Sequence, residues 1–125
     1  MILILDAHSL LWWLDDAGEL AQGARDSIAD PKNDVVVSVA TIWELEIKRA
    51  LGKFTVPDDL VGAVTADGFS CLPILPEDAT RAARLPPHHR DPFDRMLIAQ
   101  ASRLDAVIVS RDPAFDAYGT RVLPA

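Results

Sequence analysis

The chain has 125 residues, half of them hydrophobic and a quarter charged, with 12 basic against 19 acidic side chains and a formal net charge of −7. That length fits one domain over residues 1–125 with a real core, and that composition excludes a disordered, collagen-like or low-complexity polypeptide. The acidic balance counts against a broad polyanion-binding surface, although bases gather locally at Lys48, Arg49 and Lys53 and again from Arg81 to Arg95.

In chain order, residues 1–5 form an apolar run cut off at Asp6. It has no basic leader and is too short to span a bilayer, so the expectation is neither a signal peptide nor a membrane segment but a strand buried on both faces of a parallel sheet. A helix follows from about Ala7, where Leu10, Leu11, Leu14 and the Trp12-Trp13 pair give an apolar stripe that stops before Gly18. Residues 19–29 read as a second helix closed by Asp30-Pro31, and the short, β-branched segment 34–39 as the second strand. Residues 41–51 carry Ile42, Leu45, Ile47 and Leu51 ahead of Gly52, the pattern of a helix with a glycine stop. Another helix follows Pro57. Residues 69–74 read as the third strand, 77–85 as a helix, and Pro86-Pro87 as a forced extended loop. Residues 92–104 are strongly helical, 106–110 form the fourth strand, 113–118 a short helix and 120–123 a last short strand. Strands alternating with helices define an α/β fold, a mainly parallel sheet between helical layers joined by right-handed crossovers. The single Cys71 has no partner for an internal disulfide or a zinc site; it reads as core and fits a reducing cytoplasm.

Four acids hold comparable places. Asp6 directly follows the first strand, Glu44 falls in the first turn of the helix after the second, Asp94 opens the helix of residues 92–104, and Asp112 directly follows the fourth strand. In a parallel sheet the carboxyl ends of the strands share one edge, and ligands bind there where the strand order reverses. Asp6, Glu44 and Asp112 are therefore expected to converge, with Asp94 joining through helix packing. Each acid alone is also an acceptable helix cap: Asp6 and Asp112 as N-caps, Thr41-Ile42-Trp43-Glu44 as a capping box, and Asp91-Pro92-Phe93-Asp94 as N-cap, N1 proline and N3 acid. Taken together, crowded carboxylates raise one another's pKa and call for a compensating cation. Oxygen-only donors select Mg²⁺ or Mn²⁺, and no Cys/His pair with zinc spacing competes. The tandem His88-His89 lies in the proline loop, where two neighbours cannot readily face one metal, and reads as solvated. No G-x-S-x-G, P-loop or G-x-G-x-x-G occurs, which removes serine hydrolase, NTPase and dinucleotide readings.

The segments Leu3-Ile4-Leu5-Asp6-Ala7-His8, Ser38-Val39-Ala40-Thr41-Ile42-Trp43-Glu44-Leu45 with Lys48, Asp91-Pro92-Phe93-Asp94-Arg95 running on to Ala101, and Val109-Ser110-Arg111-Asp112-Pro113 resemble the PIN-domain ribonucleases, and within them the VapC toxins of bacterial toxin–antitoxin pairs. The resemblance spans almost the whole chain, and its most specific part is Asp-Pro-Phe-Asp-Arg. It implies a PIN-like three-layer α/β/α sandwich, a Mg²⁺-dependent endoribonuclease site built from Asp6, Glu44, Asp94 and Asp112, an RNA substrate, a homodimer and a cognate antitoxin that covers the groove. Asp91 is an extra acid, kept as a cap with metal ligation as the alternative. Ser110 stands where the family usually has Thr and preserves the hydroxyl.

On that reading Asp6 and Asp94, with Asp112 as a third ligand, hold the cation, and Glu44 orients or deprotonates the attacking water. Arg95 and Arg111 are expected in surface ion pairs, with phosphate contact as the alternative. Trp12, Trp13 and Trp43 are expected in the core or in a dimer contact rather than stacked on bases. The rival functions are a non-toxin RNA-processing nuclease of the same family and a catalytically inactive metal-binding module. A receiver or haloacid-dehalogenase-type domain fits poorly, because Asp6 stands alone where those want a pair of acids.

Overall fold

A computed structural model describes residues 1–125. The apolar run becomes β1 (Ile2–Leu5), and β2 (Asp34–Ser38), β3 (Ser70–Leu72), β4 (Val107–Ser110) and β5 (Val122–Pro124) complete one sheet of order β3-β2-β1-β4-β5. Every pairing is parallel. The central strands read as unbroken apolar runs because both of their faces are covered. Leu3 pairs with Val107 and Leu5 with Val109. These four side chains enter one core with Leu10, Leu11, Ile28, Leu45, Leu60 and Val64. Ile4 and Ile108 point the other way and meet Leu97, Ile98, Ala101 and Phe115. The α/β/α sandwich expected from the sequence is thus built from strand alternation feeding two apolar helix faces.

The helices are α1 (Ala7–Leu14), α2 (Gln22–Ala29), α3 (Val39–Ala50), α4 (Leu60–Ala66), α5 (Pro76–Arg84) and α6 (Pro92–Leu104), with a 3-10 helix over Pro113–Tyr118. Three boundaries differ from the sequence reading for identifiable reasons. α2 starts at Gln22 instead of residue 19, because Leu20 is tied into a turn by the hydrogen bond its amide donates to the Ala17 carbonyl and is buried at 3% exposure. α3 starts at Val39, two residues before the expected start, because the Ser38 hydroxyl caps it by accepting from the Ala40 amide. Thr41 is therefore no cap, and Glu44 lies in the second turn, so the capping-box reading of Glu44 is wrong. The last strand begins at Val122, after Gly119 takes a left-handed φ of 67° to end the 3-10 helix. α6 begins and ends at the expected residues: Asp91 caps its start and Asp105, left-handed at φ 52°, ends it.

The order β3-β2-β1-β4-β5 reverses direction between β1 and β4. Ligands of open α/β sheets bind in the crevice opened there by diverging crossovers. No helix of the protein is long and apolar enough to cross a membrane.

Candidate functional site

Asp6 and Asp112 leave the carboxyl ends of β1 and β4, on either side of the reversal. The chain is stitched at this point: the Asp6 amide and the Ser9 hydroxyl both donate to the Val109 carbonyl, at 3.2 and 2.8 Å. Asp6 is 8% exposed. Its Oδ1 accepts from the Ser9 amide at 2.9 Å, capping α1, and its Oδ2 accepts from the Ser110 hydroxyl at 2.5 Å. The Ser110 Oγ in turn accepts from the Asp112 amide at 3.0 Å. One buried hydroxyl therefore links the two strand-end acids. Asp112 repeats the division of labour: Oδ1 accepts from the Ala114 amide at 2.9 Å, while Oδ2 faces His89 Nε2 at 3.4 Å.

Glu44 is 6% exposed and accepts from Lys48 Nζ at 2.6 Å, one helical turn along α3. Asp91 is the cap that its position suggested, with Oδ1 accepting from the Phe93 and Asp94 amides at 2.8 and 3.4 Å. Asp94 follows at the third position of α6, and its Oδ2 meets His89 Nε2 at 2.8 Å.

These five carboxylates, Asp6, Glu44, Asp91, Asp94 and Asp112, line one cavity of about 390 Å³, in which Lys48 and Arg111 are the only lysine or arginine side chains. The sequence-predicted quartet is brought together, including Asp94, which no strand precedes directly. The cap reading and the site reading of the three strand-end and helix-start aspartates prove compatible, because Oδ1 of Asp6, Asp91 and Asp112 satisfies backbone amides while the carboxylates still line the cavity. The charge imbalance falls on Asp94. Burial pushes its carboxyl up, the charges of Asp91, Glu44 and Asp6 push it further, and His89 only partly opposes them, leaving it at about 7.

His89 departs from the solvated-loop expectation. Its side chain is 14% exposed, its ring packs edge-on against Phe115 with centroids 5.9 Å apart, and its amide donates to Tyr118 Oη at 2.8 Å. His88 instead lies against the Tyr118 ring, so the two histidines do not share a target. Local sequence gave no signal for this. What fixes the loop is Arg95, whose guanidinium donates to the carbonyls of Ala83, Leu85, Pro86 and His89. Arg95 is thus no surface ion pair: its guanidinium is engaged by backbone carbonyls. Arg111 is no ion pair either: it donates to the Ala125 and Glu19 carbonyls and lies 4.3 Å from the centroid of the Trp12 ring while lining the cavity. Trp13 packs on Phe69 and donates to Asp67 at 2.9 Å, whereas Trp43 is 62% exposed beside Phe93. Cys71 is partly buried on β3 against the larger core.

Fold and cavity together define a class: a three-layer α/β/α domain with a carboxylate cluster at the switch point of a parallel sheet. The chain belongs to the PIN domain family, whose family model matches residues 3–120. Among solved structures it is similar to VapBC2 from Rickettsia felis, crystallised with a DNA fragment from its promoter, at 11% identity and a TM-score of 0.70 over 98% of each chain. It is also similar to VapBC-5 of Mycobacterium tuberculosis, a member of the VapBC family of toxin–antitoxin systems, at 17% identity and a TM-score of 0.63 over 99% of this chain and 98% of that one. A third is VapC20 of the same organism, described as a toxin that cleaves the sarcin–ricin loop, at 18% identity and a TM-score of 0.64 over 94% and 95% of the two chains. No curated protein matches the chain by sequence.

Proposed function

We propose that the chain is a divalent-cation-dependent endoribonuclease and the toxin of a bacterial toxin–antitoxin pair, acting in the cytoplasm. The observation that carries this reading is the convergence of five carboxylates on one switch-point cavity with two cationic side chains to offset them. An excess of oxygen donors with the Asp94 carboxyl pushed up to about 7 suits a hard cation, Mg²⁺ or Mn²⁺. Asp6, Asp94 and Asp112 would hold it, with Asp91 adjacent. Such a cation supplies charge stabilisation for a phosphodiester and a more acidic water.

The remaining work belongs to the chain's own side chains. Glu44, fixed through one oxygen by Lys48, has its other oxygen free to orient the attacking water and take its proton. Ser110 holds the Asp6 carboxylate in place. Lys48 and Arg111 on the cavity wall supply positive charge for the backbone phosphates, and a bound cation would offset the excess of carboxylates that otherwise repels them. Similarity to proteins described as toxins supports the toxin assignment and an antitoxin partner. The exposed apolar residues Val39, Trp43, Ile47 and Leu51, spaced at four-residue intervals along and just beyond α3, support a homodimer. All four quartet acids are present, which disfavours an inactive module.

The test is incubation of purified protein with total cellular RNA with and without Mg²⁺, beside the Asp94→Ala variant. Cleavage that needs the cation and is lost in the variant is expected. Absence of any cation-dependent cleavage by the wild type overturns the reading.

A further inference from the structure

The proposed reaction leaves the imidazole of His89 unused. His89 does not line the cavity; it stands behind two of its walls, with Nε2 2.8 Å from Asp94 Oδ2 and 3.4 Å from Asp112 Oδ2. One donor atom from each of the three residues falls within a 4.8 Å span. Ligand atoms around a tetrahedral first-row cation, at about 2.0–2.2 Å from it, lie about 3.4 Å from one another. The Nε2–Asp112 separation already has this value, and the Nε2–Asp94 separation has to open by about half an ångström.

The imidazole is also preorganised in a way a bystander in a loop is not. Phe115 supports its ring, Tyr118 holds its amide, and Arg95 holds its carbonyl at 3.0 Å. Nδ1 accepts only a long bond, 3.4 Å, from the Asp91 amide. In the neutral ring the Nε2 proton therefore points at the carboxylates. A cation binding Nε2 moves that proton to Nδ1 and forfeits one weak hydrogen bond, while the positive charge replaces a donor shared by two carboxylates.

The geometry points to a mixed nitrogen–oxygen cation site, His89–Asp94–Asp112, that takes Zn²⁺ ahead of Mg²⁺. Oxygen donors alone favour hard cations, whereas imidazole suits zinc and the later first-row metals. The large charge excess at Asp94 favours any cation there, and the nitrogen ligand sets the choice. The consequence rests on the nuclease reading: Zn²⁺ held at this point shares Asp94 and Asp112 with the proposed catalytic cation and competes with it.

Calorimetric titration of ZnCl₂ into cation-stripped protein, in excess Mg²⁺, tests the site on the wild type, His89→Gln and His88→Gln. The expectation is one tight Zn²⁺ site in the wild type, unchanged in His88→Gln, and a loss of at least about tenfold in affinity in His89→Gln, the scale on which removing even an outer partner of a ligand acts. Equal affinity in wild type and His89→Gln overturns it. A second measurement does not depend on that variant folding: X-ray absorption spectra of the wild type loaded with one equivalent of Zn²⁺ should carry the outer-shell scattering of a coordinated imidazole, and its absence overturns the proposal. Mg²⁺-supported RNA cleavage scored in parallel separates the two readings. Cleavage with no histidine effect on Zn²⁺ binding removes only this inference, and histidine-dependent Zn²⁺ binding without cleavage removes only the nuclease assignment.

Discussion

Asp78 on α5 and Asp94 on α6 occupy the same place in their helices, the third position after an N1 proline, and both are withdrawn from solvent, yet their surroundings differ in sign. Asp78, 1% exposed, accepts from Arg103 Nε and Nη2 at 2.7 and 3.0 Å and from the Leu75 amide at 3.0 Å. Burial pushes its carboxyl up, but the Arg103 and Leu75 hydrogen bonds and the charges of Arg103 and Arg81 outweigh that and leave it below its ordinary value. Asp94 faces Asp91, Glu44 and Asp6 and is pushed up to about 7. The same helix position thus yields a structural ion pair where a guanidinium answers the acid, and a strained, cation-seeking carboxylate where other acids do. Buried carboxylates left unneutralised at a cavity wall mark function better than acids counted along a chain.

Substitutions at the two acids and at the loop beside them should differ widely in effect. Asp94→Asn should lower RNA cleavage by roughly a thousandfold or more, about 4 kcal/mol of transition-state stabilisation, with circular dichroism unchanged; retained single-turnover cleavage would contradict its role. Asp78→Asn should cost about 3 kcal/mol of stability by breaking the pair with Arg103, measured by urea unfolding, with cleavage per folded molecule preserved. Arg95→Ala should cost about 2 kcal/mol, because one guanidinium satisfies four carbonyls at the end of α5 and in the loop after it; the same unfolding assay checks it. The smallest effect is on pH. The raised Asp94 carboxyl contributes stability that is fully present below about pH 3.8 and is lost as pH rises through about 7. The lowered Asp78 carboxyl contributes in the opposite sense, with stability present above about pH 3.8 and lost on acidification. Without cations, moving from pH 8 to pH 6 should therefore raise stability by about 1 kcal/mol, and saturating Mg²⁺ should flatten that slope in thermal melts.

Much of this was legible in the chain. β1 and β4 announce themselves as apolar runs that end on acids, and α6 carries its own start and stop in Asp91-Pro92 and Asp105. Placing those acids needed only the rule that parallel strands end along one edge. Asp94 joins them on a weaker argument, from helix packing alone, because its position depends on how α6 packs against the sheet face at Ile4 and Ile108. The sequence puts Glu44 one turn too early, because Ser38 and Thr41 are both credible caps and only tertiary packing chooses between them. His89 was not legible at all: its burial is imposed by Arg95, Phe115 and Tyr118, residues six to twenty-nine positions away.

If Asp94 is held at a cost that a cation relieves, thermal unfolding of wild type and Asp94→Asn at pH 8, with and without Mg²⁺, should show it. Without Mg²⁺ the variant should be the more stable by about 2 kcal/mol; with Mg²⁺ the wild type should gain stability and the variant little. A variant no more stable than the wild type in the absence of cations, with both proteins responding equally to Mg²⁺, would mean that Asp94 is neither strained by its neighbours nor a cation ligand.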